Sequence, residues 1–181
     1  MTRISILKTE EMTDEQREVI NESVSAGKPH GGPFWAYIRN PDLMRNVQDS
    51  AACIAASSLT KREQQIATLT VARFWSAKYP WGVQSRNGLK VGLTEEEIDA
   101  INSQVQIPSD DKRELLAQQV ANELLSNRAL SEATYSAAED AFTTEELVTL
   151  VARVGSFSMT CCTANAFDIT PPGDAPSGVQ G

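Results

Sequence analysis

Few side chains in this 181-residue sequence can take or give a proton near neutral pH. Its one histidine, His30, lies in the glycine-flanked loop Lys-Pro-His-Gly-Gly-Pro-Phe, residues 28–34. Imidazole is the side chain whose unperturbed pKa falls in that range, so His30 is a candidate proton donor or acceptor, with a solvated loop histidine as the plain alternative. Of the three cysteines, Cys53 stands alone while Cys161 and Cys162 are neighbours. Adjacent cysteines bridge only through a strained ring, which favours reduced thiols, inert within an apolar helix. Neither residue type recurs at metal-ligand spacing, so no metal site is expected.

Other polar chemistry rests on groups that do not titrate. Arg73 sits one helical turn from Leu69 and Ala77. Such a guanidinium either pairs with a carboxylate across an interface or clamps a substrate carboxylate or carbonyl. Phe34, Trp35, Trp75 and Trp81 include all three tryptophans. They fit a packed core or interface, or else a flat pocket for an unsaturated ligand. Tyr37, Tyr79, Arg39 and Arg86 are further candidates for the same neighbourhood.

Helices must position these groups. Threonine followed three residues later by Glu or Gln recurs at Thr13/Gln16, Thr60/Glu63, Thr94/Glu97 and Thr143/Glu146. Each is a capping-box pattern, in which the hydroxyl and the acid or amide satisfy free backbone N–H groups reciprocally. Asn40-Pro41 adds an N-cap with proline at the first helical position, and Ser109 and Ser131 are further cap candidates. Apolar residues recur behind the caps at helical spacing, as in Ile66, Leu69, Thr70, Arg73 and Ala77, or Leu147, Leu150, Val154 and Phe157. Gly27 and Gly92 mark helix ends, and Pro80 marks a new helix start after a break at 78–79. Strand signals are nearly absent. The reading is a single all-α domain of about eight helices over residues 1–170, with a Pro/Gly-rich flexible tail at 171–181.

Composition narrows the partners. The net charge is −8, a sign that repels phosphate backbones and argues against nucleic acid. No apolar run approaches the roughly 18 residues of a membrane span, and the acidic N-terminus does not resemble a secretory signal. A cytoplasmic protein with no membrane association is expected.

The ordered set of motifs resembles a known family. The segment SSLTKREQQIATLTVARFWSAKYPWGVQSRNGLKVGLTEEEIDAI, with GPFWAYIRNPDLMRNVQ before it and VGSFSMTCCTANAFDITPP after it, is similar to the carboxymuconolactone decarboxylase/AhpD-like superfamily. That resemblance implies an all-helical, oligomeric fold, as trimers, hexamers or dimers, working without metal or organic cofactor. Members include decarboxylases of lactone acids and thiol peroxidases. The peroxidase relay, Cys-x-x-Cys-x-x-x-His with a Glu twelve residues upstream, falls here on Ala77, Pro80, Gln84 and Gln65. The decarboxylase-like branch keeps Glu and His at positions 65 and 84, which here are both Gln.

With no thiolate to attack peroxide, thiol peroxidase chemistry is excluded at this position. An amide is no general acid or base near neutral pH, yet it donates and accepts hydrogen bonds. The function expected is therefore a cofactor-independent lyase, isomerase or cyclase, decarboxylation included, acting on a small carbonyl- or carboxylate-bearing substrate in a specialised biosynthetic pathway. His30, Arg73 and Gln84 are its catalytic candidates; Phe34, Trp35, Gln65, Trp75 and Trp81 are candidates to hold the substrate. The alternative is a non-catalytic ligand-binding or assembly homologue that keeps the oligomeric scaffold.

Overall fold

The computed structural model describes residues 2–171 and 178–179. Caps decide where its helices begin. Thr13, Thr60, Thr94 and Thr143 each accept from the backbone N–H three residues on, and Gln16, Glu63, Glu97 and Glu146 reach back. Removing such a cap typically costs about 1 kcal/mol. After a 3-10 turn at Thr9–Glu11 come α1 (Asp14–Ser25), α2 (Phe34–Tyr37), α3 (Pro41–Ala55), α4 (Lys61–Phe74), α5 (Lys78–Lys90), α6 (Glu95–Asn102), α7 (Lys112–Asn127), α8 (Glu132–Ala141) and α9 (Thr144–Ala166). No strand occurs among the described residues. The fold is all-α. It exceeds the expected count by α2, a single turn too short to show periodicity.

Two boundaries differ from the sequence reading for local reasons. The cap of α7 is Asp111, which accepts from Arg113 N, while the expected cap Ser109 donates instead to Glu114 at 2.7 Å. Helix α5 begins at Lys78, after a left-handed turn at Ser76 with φ 45°. Pro80 is thus its third residue, where the backbone N–H would have no intrahelical acceptor and a proline is tolerated.

Helix α4 is the axis, packed against α5, α6, α7 and α9. Its start is locked by two arginines, each the second residue of its own helix. Arg62 of α4 reaches Glu97 of α6 at 2.6 Å and Glu114 of α7 at 2.5 Å. Arg113 of α7 reaches Glu63 of α4 at 2.6 Å and Glu146 of α9 at 2.9 Å, with its guanidinium 4.5 Å from the Phe142 ring centre. Four helix starts therefore converge at one end. The carboxylates also sit where helix dipoles favour negative charge. Hydrogen bonds from Arg113 hold the Glu146 carboxyl down at about 2, and those from Arg62 lower Glu114.

Behind the clamps, Ile66, Leu69, Trp81, Val120 and Leu150 fill the main core. A second cluster, Val19, Tyr37, Ile38, Met44 and Val47, joins α1, α2 and α3. Tyr37 Oη links this cluster to α9 by donating to Thr163 Oγ1 at 3.0 Å. Helix α9 itself is long and apolar enough to cross a membrane, with an 18-residue window of mean hydropathy 1.4. This corrects the expectation that no apolar run approaches that length: the small serines and threonines among its apolar residues lower the mean hydropathy little, and Leu150, Val154, Cys161 and Ala164 face the core. The tail expected at 171–181 falls largely outside the described residues; within it, Gly178 O accepts from Asn102 Nδ2 and Val179 packs against the main core.

Removing Arg113 strands two buried carboxylates, so Arg113→Ala should lower unfolding stability by about 3 kcal/mol in urea titration. The pH dependence has a definite sign. Glu146 titrates near 2 when folded against an ordinary 4.5, so its contribution is full above pH 4.5 and is lost as pH falls toward 2. The urea midpoint of the wild type should fall across that window, and Glu146→Gln should flatten the fall.

Candidate functional site

Helices α4 and α5 form an antiparallel pair through the Ser76 turn, which brings Gln65 opposite Gln84. Gln65 Nε2 donates to Gln84 Oε1 at 2.9 Å and to Gln84 O at 2.8 Å. Asn87, one turn along α5, donates its Nδ2 to the same Gln84 Oε1 at 3.3 Å. The side-chain carbonyl of Gln84 is thereby occupied twice. Among the described residues nothing accepts from its Nε2, and nothing donates to Gln65 Oε1. Both side chains are partly exposed. The pair thus offers one amide donor group and one amide acceptor to anything placed beside it.

The lead-in segment closes on the start of α5. Gly32 has φ +61°, and a Cβ there would stand 2.2 Å from the Tyr79 ring, so a side chain is excluded twice over. Trp35 meets Tyr79 edge-on at 6.2 Å. Burial raises the Tyr79 hydroxyl pKa, partly offset by the charge of Arg86. His30, two residues before Gly32, is exposed with Nδ1 3.0 Å from Lys28 O. No hydrogen bond joins it to Gln65 or Gln84.

The other expected site residues go elsewhere. Arg73 Nε donates to Asn102 O at 2.6 Å, and its Nη1 to Ser76 Oγ at 3.3 Å. Asn102 ends α6, so the guanidinium satisfies one of the carbonyls that a helix C-terminus leaves open. Eight residues along α4, about 12 Å, separate Arg73 from Gln65. Trp81 is buried in the main core, 1% exposed. Trp75 is at the surface, edge-on to Phe74, and its carbonyl accepts from Asn165 Nδ2 at 2.7 Å. Phe34 packs on the second core cluster, edge-on to Tyr37. Of the expected set, the structure brings together Gln65 and Gln84, with Trp35 packed on the first turn of the helix that carries Gln84.

One polar group escaped sequence reasoning. Arg153 of α9 donates through Nη2 to Gln64 Oε1 at 2.5 Å and through Nη1 to Thr68 Oγ1 at 3.3 Å. Its Nε is buried without a hydrogen-bond partner. Burial pushes the guanidinium down to about 10, and no acid opposes that shift. The signal available was a single charge in the otherwise uncharged run Leu147–Phe167.

Residues 41–123 match the carboxymuconolactone decarboxylase family. That match runs from the start of α3 into α7, under half of the chain, and supports the resemblance to the carboxymuconolactone decarboxylase/AhpD-like superfamily. Its fold is shared with an AhpD-core peroxidase-related protein of Ralstonia eutropha JMP134, at TM-score 0.78 and 16% identity over 96% of this chain and 93% of that one. A peroxidase-related protein of Silicibacter sp. TM1040 superposes at 0.79 with 15% identity, over 99% and 96%. A variant of the debrominase Bmp8, in complex with 2,3,4-tribromopyrrole, superposes at 0.74 with 15% identity, over 96% and 93%. No curated protein matches the chain in sequence.

The positions that the resemblance assigns to a relay are Gln65, Ala77, Pro80 and Gln84, and the cysteines lie on other helices. Cys53 and Cys162 are exposed, whereas Cys161 is buried and burial raises its thiol pKa strongly. Thiol labelling of the native protein should therefore modify Cys53 and Cys162 and spare Cys161 until the chain unfolds. Labelling of Cys161 at the rate of the other two would contradict its placement.

Proposed function

We propose that this chain is a cofactor-independent enzyme of the lyase, isomerase or cyclase type, acting at the Gln65–Gln84 pair on a small organic substrate with carbonyl or carboxylate groups. One observation carries the reading. Gln65 and Asn87 hold the Gln84 carbonyl, which fixes the amide and leaves its N–H groups to donate. Donors fixed before the reaction favour negative charge developing on a substrate oxygen, as in an enolate or a carboxylate about to leave as CO₂. Because neither amide titrates, the pair holds and polarises rather than moving protons, so the reaction class is one an already activated substrate can follow.

The half-buried Trp35 and Tyr79 rings supply flat apolar surface for an unsaturated ligand. The Bmp8 variant, on the same fold, holds a small aromatic heterocycle. Decarboxylation remains within the class, and a cytosolic homo-oligomer in a specialised biosynthetic pathway is the setting that fits the superfamily. A second reading has its own observation: with Gln at both relay positions, the chain would serve equally as a binding or assembly subunit that kept the scaffold.

Turnover of a panel of β-keto acids and unsaturated lactone acids, followed by proton NMR, separates the two. Gln84→Leu and Gln65→Leu should each lower turnover by about 10²-fold, the scale of a lost oxyanion donor. Unchanged turnover in both variants would remove the pair from the mechanism. Binding without turnover across the panel would favour the non-catalytic reading.

A further inference from the structure

Both clamping arginines grip one of their two carboxylates side-on. Arg62 uses Nε and Nη2 together on Glu114, at 2.5 and 3.0 Å, and Arg113 uses the same edge on Glu63, at 2.6 and 3.4 Å. This side-on fork matches the two oxygens of a carboxylate. Arg153 departs from the pattern. Neutral oxygens of Gln64 and Thr68 take its Nη2 and Nη1, and Nε of the carboxylate-gripping edge has no partner. No carboxylate lies within 4 Å of it among the described residues.

The surroundings hold this guanidinium in place. Gln64 Nε2 donates to Leu59 O at 2.8 Å, and Thr68 Oγ1 donates to Gln64 O at 2.7 Å, so both acceptors are themselves fixed. One turn to either side on α9 stand the small polar residues Thr149 and Ser156, both half-buried. Gln64 is also the immediate neighbour of Gln65 on α4. Consecutive residues of one helix thus anchor the unpaired cation and the amide pair.

We propose that Arg153 is the recognition site for a carboxylate of the small-molecule ligand, gripping it through the Nε edge, with its anchor Gln64 next in sequence to Gln65 of the amide pair. The proposal rests on the reading of that pair as a ligand site and gives the ligand its charge. A carboxylate entering here completes the fork seen at Arg62 and Arg113, and it supplies the negative charge that this half-buried cation lacks. A neutral amide of the same shape cannot do so.

The test is calorimetric titration of the full chain with benzoate and with its neutral counterpart benzamide, in low-chloride buffer. Wild-type protein should bind benzoate and not benzamide. Arg153→Gln should weaken benzoate by at least about tenfold, the loss expected for a charge-assisted fork. Arg153→Lys, which keeps the charge but not the fork, should bind with intermediate strength and covers the case in which the Gln variant does not fold. Equal benzoate binding by wild type and Arg153→Gln, or none by wild type, overturns the proposal. So does a loss of oligomer mass in Arg153→Gln with benzoate binding intact, because the carboxylate would then come from a second copy of the chain. Gln84→Leu keeps the two readings apart. Benzoate lost with Gln84→Leu but kept with Arg153→Gln leaves the amide site standing and removes Arg153; the reverse retains Arg153 as a carboxylate site and removes the pair.

Discussion

The structure depends on two arginines placed one residue inside helix starts. Arg62 and Arg113 each bridge carboxylates of two other helices, and three of the four acids involved, Glu63, Glu97 and Glu146, are also the third residues of capping boxes. One carboxylate therefore finishes its own helix locally and fixes that helix to a neighbour. A charge buried this deeply is costly unless fully satisfied, so the cluster tolerates few arrangements and sets where α4, α6, α7 and α9 begin relative to one another. Everything downstream on α4 inherits that register, including Gln64, Gln65 and Arg73.

The local half of this design is legible in the sequence. A Thr-x-x-Glu pattern has its meaning within four residues, so the four capping boxes and the Asn40-Pro41 start are read directly. Partners more than a few residues apart are not. Nothing in the spacing shows that Arg62 and Arg113 hold the capping glutamates of other helices. Arg73 and Arg153 illustrate the same limit. Both are single charges on apolar helix faces, yet Arg73 meets the open carbonyl of Asn102 while Arg153 meets neutral oxygens alone. Only the tertiary arrangement distinguishes them. Trp81 and Trp35 divide in the same way: an aromatic pattern is identical whether the ring enters the core or lies beside a glycine loop.

Amides at positions 65 and 84 do not titrate near neutral pH, yet they donate and accept hydrogen bonds. Gln65 and Gln84 are in direct contact, Nε2 to Oε1 at 2.9 Å. The arrangement ties down the acceptor of Gln84 and leaves its donor. Amides do not transfer protons near neutral pH, and the proposed role of the pair is therefore to hold a ligand oxygen.

The central claim is that the Gln84 amide group faces a ligand. It is tested most directly by the side-chain amide region of a nitrogen–proton correlation spectrum recorded during addition of a small carbonyl or carboxylate compound that binds the protein. Assigned Gln84 N–H₂ resonances should move to saturation with the ligand, while those of Gln119, held by Thr134 on the far side of α7, stay fixed. A bound ligand that leaves the Gln84 resonances unmoved would contradict the account.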